Sequence, residues 1–175
     1  MPGMSLYKTI GALIFRGVMM RLKLRNINQL IDDVIWPQYG LSYDPSVDKR
    51  HTALHKVLCD IPEDDYQTLV DMIDDFNWFI PDVDLWGTVK PFAASALEKG
   101  HARHAKILYL SPTLEQFAIE QVIAVVAHEL AHLILCHRMF PESVEEQKEG
   151  EDEAWELVRK WGYQKSIEAH AKLHD

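Results

Sequence analysis

The most constraining feature of this 175-residue sequence is an apolar stretch in its second half. Isoleucine, valine and leucine recur on every side of a helix drawn through residues 119–135, and no glycine or proline interrupts residues 115–140. A helix that is apolar almost all round is buried in a protein core. We therefore expect the rest of the chain to pack around one long buried helix in this region.

Three polar residues lie in the second half of this apolar helix, namely His128, Glu129 and His132 in the order H-E-L-A-H. Two histidines four residues apart lie on one helix face, about one turn from each other, so both imidazoles can reach the same metal ion. Buried polar groups need partners, and a metal ion satisfies all three together. Glu129 can meet a metal-bound water as general base. The weaker alternative is a core helix whose histidines bond to carbonyl groups.

Length and composition favour a single domain over residues 1–175, since a chain that is 47% apolar and 26% charged can build one well-buried core. We expect a helical N-terminal part over residues 1–80. Residues 81–175 would then hold a strand, the motif helix and a glutamate-bearing helix. The net charge of −9 argues against general nucleic-acid binding, and no nucleic-acid partner is expected.

Cysteines and N-terminal charge bear on the cellular setting. Cys59 and Cys136 follow no C-x-x-C spacing, and Cys136 falls among the leucines of the apolar helix, so both are predicted to be reduced core thiols of a cytoplasmic protein. Residues 1–25 carry five basic and no acidic residues. Such asymmetry is typical of a membrane-surface or partner-binding segment, but also of the outer face of a packed first helix, which we expect here.

Periodicity and capping residues predict the other elements. The predicted helices cover residues 13–36, Asp44-Pro45 to about Leu58, Pro62 to Ile80, and Glu145 to Trp161 before Gly162. Residues 81–106 are irregular and could form a lid or a wall of a cleft, with short strands around residues 86–90. Residues 107–110 are the clearest strand candidate. His51 and His55 are also four apart, but their polar surroundings favour a helix surface over a second metal site.

The H-E-x-x-H motif resembles that of the HExxH zinc metallopeptidases, the zincins. The resemblance implies a Zn²⁺ cofactor bound by His128 and His132, with Glu129 as the catalytic base. It also implies a mainly helical α+β fold, a zincin-like domain with a small sheet whose edge strand flanks the HExxH helix. In zincins this strand pairs with an extended substrate, which implies a protein or peptide substrate bound along residues 106–110.

A catalytic zinc needs a third protein ligand and an open fourth position. His137 lies five residues after His132 on what reads as the same helix, so it is predicted to point well away from the ligand face. The HExxHxxGxxH pattern of the metzincins is absent, because Arg138 occupies the place of their third histidine. The other solution is the gluzincin one, in which the next helix supplies a glutamate.

Five glutamates compete for this role, namely Glu145, Glu146, Glu149, Glu151 and Glu153. With Ala154 taken as the centre of the apolar face, Glu151 lies about 60° from it. The angles are about 80° for Glu146, 100° for Glu153 and 140° for Glu149. Glu151 is therefore predicted to be the third metal ligand.

Residues 107–161 are similar to small gluzincins of the ImmA/IrrE type, which have a short strand, the HExxH helix and then a glutamate helix. Proteins of that type often cleave a regulatory partner, so the resemblance implies a zinc metalloendopeptidase acting on a regulatory protein. Many gluzincins have E-x-E-A-D after the motif, whereas this chain has Trp155 in place of the last acid. The usual hydrogen bond from that acid to a metal-bound histidine is then missing.

Two alternatives stay open. A SprT-type protease would use a histidine as third ligand, although the acidic charge and the absence of a cysteine-rich zinc ribbon count against it. A catalytically silent zinc-binding scaffold is the second, but such a site needs no general base, and Glu129 is intact. The donor that would stabilise the oxyanion is also open, with Tyr109, Tyr163 and His170 as candidates.

Overall fold

The computed structural model describes residue 27 and residues 48–71, 76–79, 92–97, 104–138 and 141–171. Most of these residues are helical, as predicted. Ile27 is helical and fully buried. The described part also contains a short 3₁₀ helix over Pro112–Gln116. Its five α-helices are α1 (Lys49–Asp60), α2 (Glu63–Asp71), α3 (Ile119–Ile134), α4 (Val144–Lys160) and α5 (Gln164–Ala171). Apart from Ile27, the predicted first helix and the basic segment lie outside the described residues.

Three short strands form one sheet in the order β1-β3-β2. Their bounds are Phe76–Phe79 for β1, Phe92–Leu97 for β2 and His104–Tyr109 for β3. β1 runs parallel to β3, with Phe76 opposite Lys106, and β2 runs antiparallel to β3, with Phe92 opposite Tyr109. β3, which contains most of the predicted strand, is therefore the central strand of the described sheet.

The prediction of one helix from Pro62 to Ile80 was wrong in its second half. α2 ends at Asp71, and the segment Phe76–Phe79 forms β1 instead. The aromatic residues of Phe76–Phe79 suit a strand as well as the apolar stripe of a helix. Pairing with β3 supplies hydrogen-bond partners for the backbone of this segment. The part of the chain before residue 80 is therefore not wholly helical.

The position of β3 also corrects the predicted binding strand. Residues 106–109 pair with β1 on one side and with β2 on the other, so they present no free edge to which a peptide could add. Within the described sheet, the edge strand that packs against α3 is β2. It comes from the segment that was expected to be irregular.

The core is organised around α3, the predicted buried helix. α3 packs against α1, α4 and α5 as well as β2 and β3. Val122, Val126, Leu130 and Leu133 on α3 are fully buried. Removing one such side chain, as in Leu130→Ala, should cost about 2–5 kcal/mol of unfolding free energy.

A polar clamp fastens α1 to the chain that leads into α3. The helix begins later than the predicted Asp44-Pro45 start: Asp48 is the N-cap, and its Oδ1 accepts the Arg50 N–H at 2.8 Å. Arg50 is 3% exposed, and it donates to Asp48 Oδ2 at 2.6 Å and to the Leu110 carbonyl at 3.1 Å. The Glu115 carboxylate accepts the Lys49 N–H at 3.0 Å. The end of β3 and the approach to α3 are thus held against the first turn of α1.

No helix in the described ranges combines the length and the apolar character that crossing a membrane requires.

Candidate metal centre

Three side chains from two helices converge on one point. Nε2 of His128 lies 2.9 Å from Nε2 of His132 and 3.0 Å from Oε2 of Glu151, and Oε1 of Glu151 lies 3.7 Å from Nε2 of His132. All three donor atoms lie within 4.8 Å of one another. A tetrahedral zinc with bonds of about 2.1 Å separates its ligand atoms by about 3.4 Å, so the spacing of these donors suits such an ion.

The geometry follows from the two helices that carry the donors. His128 and His132 project from one face of α3, with ring centroids 4.5 Å apart and planes at 87°. α4 crosses this face where Ala154 is fully buried, and the small side chain lets the helices approach closely. Glu151 precedes Ala154 by about one turn, which brings its carboxylate over the two imidazoles.

The chemistry of the donors also suits zinc. Two imidazoles and one carboxylate are the protein ligands of many catalytic zinc sites. Burial lowers the pKa of His128, because desolvation disfavours the imidazolium form. Hydrogen bonding to His128, and then to His132, holds the pKa of Glu151 well below its ordinary range. A neutral imidazole beside an ionised carboxylate is the protonation state that metal binding requires.

Glu129 lies next to this group without being part of it. It follows His128 on α3 and is 7% exposed. Among the residues that the structure describes, only His128, His132 and Glu151 form a cluster of potential metal ligands. Glu129 is thus a buried acid that follows one of the donors in the sequence, and its carboxylate is not part of the donor group.

His137 and Cys136 differ from their predicted positions. α3 ends at Ile134, and Cys136 adopts a left-handed conformation with φ of 57°, so Cys136 is exposed rather than buried among leucines. The chain folds back, and Nδ1 of His137 lies 2.8 Å from Nδ1 of His132. His137 therefore contacts a candidate ligand on the nitrogen that faces away from the donor group. No glycine marks this turn, so the sequence carried no helix-stop signal here.

Trp155 covers His128 from α4. The two rings are stacked, with centroids 4.1 Å apart and planes at 28°. On α5, the ring of His170 has its centroid 5.5 Å from that of Trp155. The aromatic side chain thus stands where the resemblance implied an acid, and packing replaces the expected hydrogen bond.

The remaining candidates from the sequence lie elsewhere. The Tyr163 hydroxyl donates to Asp60 Oδ2 on α1 at 3.1 Å, and burial, followed by the charge of Asp60, raises the pKa of Tyr163. His170, one of the three proposed oxyanion donors, contacts the candidate metal centre by way of the Trp155 ring. Glu153 contacts His137 instead of the donor group.

No family model, curated protein or solved structure matches this chain. The functional proposal therefore depends on the geometry and chemistry of the cluster formed by His128, His132 and Glu151.

Proposed function

We propose that this chain is a zinc-dependent metallopeptidase that hydrolyses peptide bonds in a protein substrate. The observation that carries the proposal is the convergence of Nε2 of His128, Nε2 of His132 and the Glu151 carboxylate. These residues hold Zn²⁺ as a two-histidine, one-glutamate set. Three protein ligands leave the fourth position open, as a catalytic zinc requires.

The zinc ion, when bound, supplies a Lewis acid that polarises the scissile carbonyl and lowers the pKa of water towards neutrality. Glu129 accepts a proton from the attacking water and passes it to the departing amine. His128 and His132 act only as ligands. Burial of Glu129 beside His128 supports this division of roles, since the base must lie next to the metal without occupying a coordination position.

The substrate is an extended segment of a separate protein, and its docking strand is β2 rather than β3. Within the described sheet β2 is paired on one side only, and it packs against the motif helix α3. An edge strand can accept a peptide as an added strand, with backbone hydrogen bonds supplying affinity. By the resemblance to ImmA/IrrE-type proteins, the target is a regulatory protein.

Metal content gives the first test. Wild type, Glu129→Gln, Glu151→Gln and Glu149→Gln are purified, reconstituted with zinc and analysed by mass spectrometry. We expect one zinc per chain in wild type and Glu129→Gln, and loss of zinc in Glu151→Gln. Glu149→Gln is the matched control, because it removes an exposed carboxylate from the same helix and should retain zinc. Full zinc in Glu151→Gln would move the third ligand elsewhere, and no zinc in wild type would overturn the proposal.

Hydrolysis is then measured with a fluorescence-quenched peptide library. Zinc-loaded wild type should cleave members of the library, and Glu129→Gln should retain zinc while losing about 10²- to 10⁴-fold in rate. Cleavage that is equally fast in both proteins would exclude Glu129 as the base. Zinc binding without cleavage by wild type would favour the alternative of a catalytically silent scaffold.

A further inference from the structure

The turn that ends α3 places His137 over His132. The N–H of His137 donates to the carbonyl of His132 at 3.0 Å, and the N–H of Cys136 donates to the carbonyl of Leu133 at 3.1 Å. These two bonds form a Schellman motif with Cys136 at its left-handed position. In this motif the side chain after the left-handed residue contacts the last turn of the helix. Here that contact is made between the two imidazole rings, whose centroids are 4.9 Å apart.

A second contact ties His137 to α4. Nε2 of His137 lies 3.1 Å from Oε2 of Glu153, and Nδ1 of His137 lies 2.8 Å from Nδ1 of His132. The backbone of α4 passes close to the ring at Gly150, where a methyl group would lie 3.4 Å from Nδ1 of His137. The imidazole of His137 is thus held between the C-terminal turn of α3 and the middle of α4.

The hydrogen-bonding capacity of each group sets the proton positions along this chain of contacts. An ionised carboxylate only accepts, so the bond to Glu153 places a proton on Nε2 of His137. A neutral His137 then has a lone pair on Nδ1, which accepts a hydrogen bond from Nδ1–H of His132. With its proton on Nδ1, a neutral His132 carries its lone pair on Nε2, the atom that faces His128 and Glu151.

The other histidine of the pair is supported differently. Nδ1 of His128 is buried and has no hydrogen-bond partner within the described ranges. Its ring is covered by Trp155 instead. Within the described ranges, a hydrogen-bonded series therefore reaches Nδ1 of His132 but not Nδ1 of His128. It ends at an acid, Glu153, whose side chain is 56% exposed.

We propose that His137 and Glu153 are positioning residues that hold His132 in the Nδ1–H tautomer and aim its Nε2 at the metal. The inference rests on the proposed zinc site and names two residues that the motif does not contain. A hydrogen-bond partner behind a metal-bound histidine fixes its tautomer and ring orientation and raises its basicity. A histidine followed by a carboxylate performs that task here.

Zinc affinity gives the first readout, measured by competition with a chromophoric chelator. Glu153→Ala and His137→Leu should each weaken zinc binding by about 10- to 100-fold. His137→Asn should retain most of the affinity, because its amide oxygen can accept the Nδ1–H of His132. The matched control is Glu149→Ala, which removes an exposed carboxylate one turn earlier on α4 and should bind zinc like wild type. Equal losses in His137→Asn and His137→Leu would indicate a packing role and overturn the proposal.

The tautomer gives a second readout that needs no metal. Long-range ¹⁵N–¹H correlation spectra of metal-free protein, recorded at a single mildly alkaline pH, distinguish Nδ1–H from Nε2–H imidazoles. We expect His132 as Nδ1–H in wild type and Glu149→Ala, and a mixture in Glu153→Ala. Because Glu153 is exposed, that variant should fold even if His137→Leu does not. An Nε2–H His132 in wild type would overturn the proposal.

The two readouts separate this inference from the proposed function. Zinc binding by wild type that is unchanged in Glu153→Ala and His137→Leu would remove the positioning role and leave the metallopeptidase proposal standing. Absence of zinc from wild type would remove the metallopeptidase proposal, whereas a tautomer that depends on Glu153 would still show that His137 and Glu153 set the protonated nitrogen of His132.

Discussion

Trp155 on α4 stacks on His128 on α3 with ring centroids 4.1 Å apart. Nδ1 of His128 has no hydrogen-bond partner in the part of the chain that the structure describes, so packing takes the place of a hydrogen bond on this side of the ring. His132, by contrast, is contacted at Nδ1 by His137. On the side away from the donor group, the two candidate ligands are thus supported by different physical means, His128 by an aromatic face and His132 by a hydrogen bond at Nδ1.

The stack predicts energetic coupling between Trp155 and His128. In a double-mutant cycle of Trp155→Leu and His128→Ala, the coupling should be about 0.5–1.5 kcal/mol, because aromatic pairs contribute that much beyond area burial. The free energy of unfolding is measured by urea titration with a chelator present. Trp161→Leu is the control, since the indole of Trp161 donates to Asp65 Oδ2 at 2.7 Å instead. If the double variant lost the sum of the unfolding free energies lost in the Trp155→Leu and His128→Ala single variants, the prediction would be contradicted.

Cys136 is predicted to store backbone strain, because its φ of 57° lies in the region that side chains with a Cβ disfavour. Cys136→Gly should raise the free energy of unfolding by about 1 kcal/mol, as glycine adopts this conformation without steric cost. Cys136→Val should lower it by a similar amount, about 1 kcal/mol, because a branched Cβ is disfavoured there. Urea unfolding of both variants checks the signs, and equal changes in the two would argue against strain.

Two glycines of the α4 region should respond in opposite directions to the same substitution. Gly150 lies inside the helix, and an added methyl group would make ordinary contact with His137 at 3.4–3.6 Å, so Gly150→Ala should stabilise by about 0.5–1 kcal/mol. Gly162 follows the helix with φ of 90° and has open space around it, so Gly162→Ala should destabilise by about 1 kcal/mol through backbone conformation alone. Thermal unfolding of the pair tests this, and stabilisation by Gly162→Ala would contradict it.

The clamp at the start of α1 predicts a pH-dependent contribution to stability. Burial raises the pKa of Asp48, but its hydrogen bond and ion pair with Arg50 outweigh burial and bring the pKa below its ordinary value. A carboxylate with a lowered folded-state pKa contributes stability above its unfolded pKa, and that stability is lost as pH falls through the folded pKa.

Asp48→Asn should therefore destabilise by about 3 kcal/mol at neutral pH, since it leaves the buried Arg50 without its main partner. The difference from wild type should narrow as pH falls below about 4. Urea unfolding at several pH values measures this. The exposed Asp71 is the control, because Asp71→Asn should change stability by less than about 0.5 kcal/mol. A wild-type advantage that is constant with pH would argue against the charge of Asp48 as its source.

Local sequence signals were sufficient to predict the helices that carry the candidate metal centre. α4 was predicted from Glu145 to Trp161 and runs over Val144–Lys160, because Ser143 caps its start and Gly162 supplies the left-handed residue at its end. The angular position of Glu151 relative to Ala154 selected it from five glutamates, and its carboxylate is the one beside both histidines. Helical periodicity depends only on near neighbours in the chain, so it can be read from the sequence.

The strands were less predictable because their pairing joins distant segments. The stripe through Phe76–Phe79 fits a helix and a strand equally well, and the partner strand β3 decides between them. The same partner strand was expected to be a free edge, yet β1 and β2 lie on either side of it. Which side of a strand is covered is a property of the sheet and has no local signature.

The sequence by itself determined the buried helix, the H-E-x-x-H spacing that puts His128 and His132 on one face, and the helix that carries Glu151. Only the tertiary structure decided what surrounds those donors. The tertiary structure determines the turn at Cys136, which is left-handed although it is not a glycine. This turn brings His137 between His132 and Glu153. The physical reason is that a disfavoured φ persists only where long-range contacts compensate its cost, and such contacts exist only once α3 and α4 have packed.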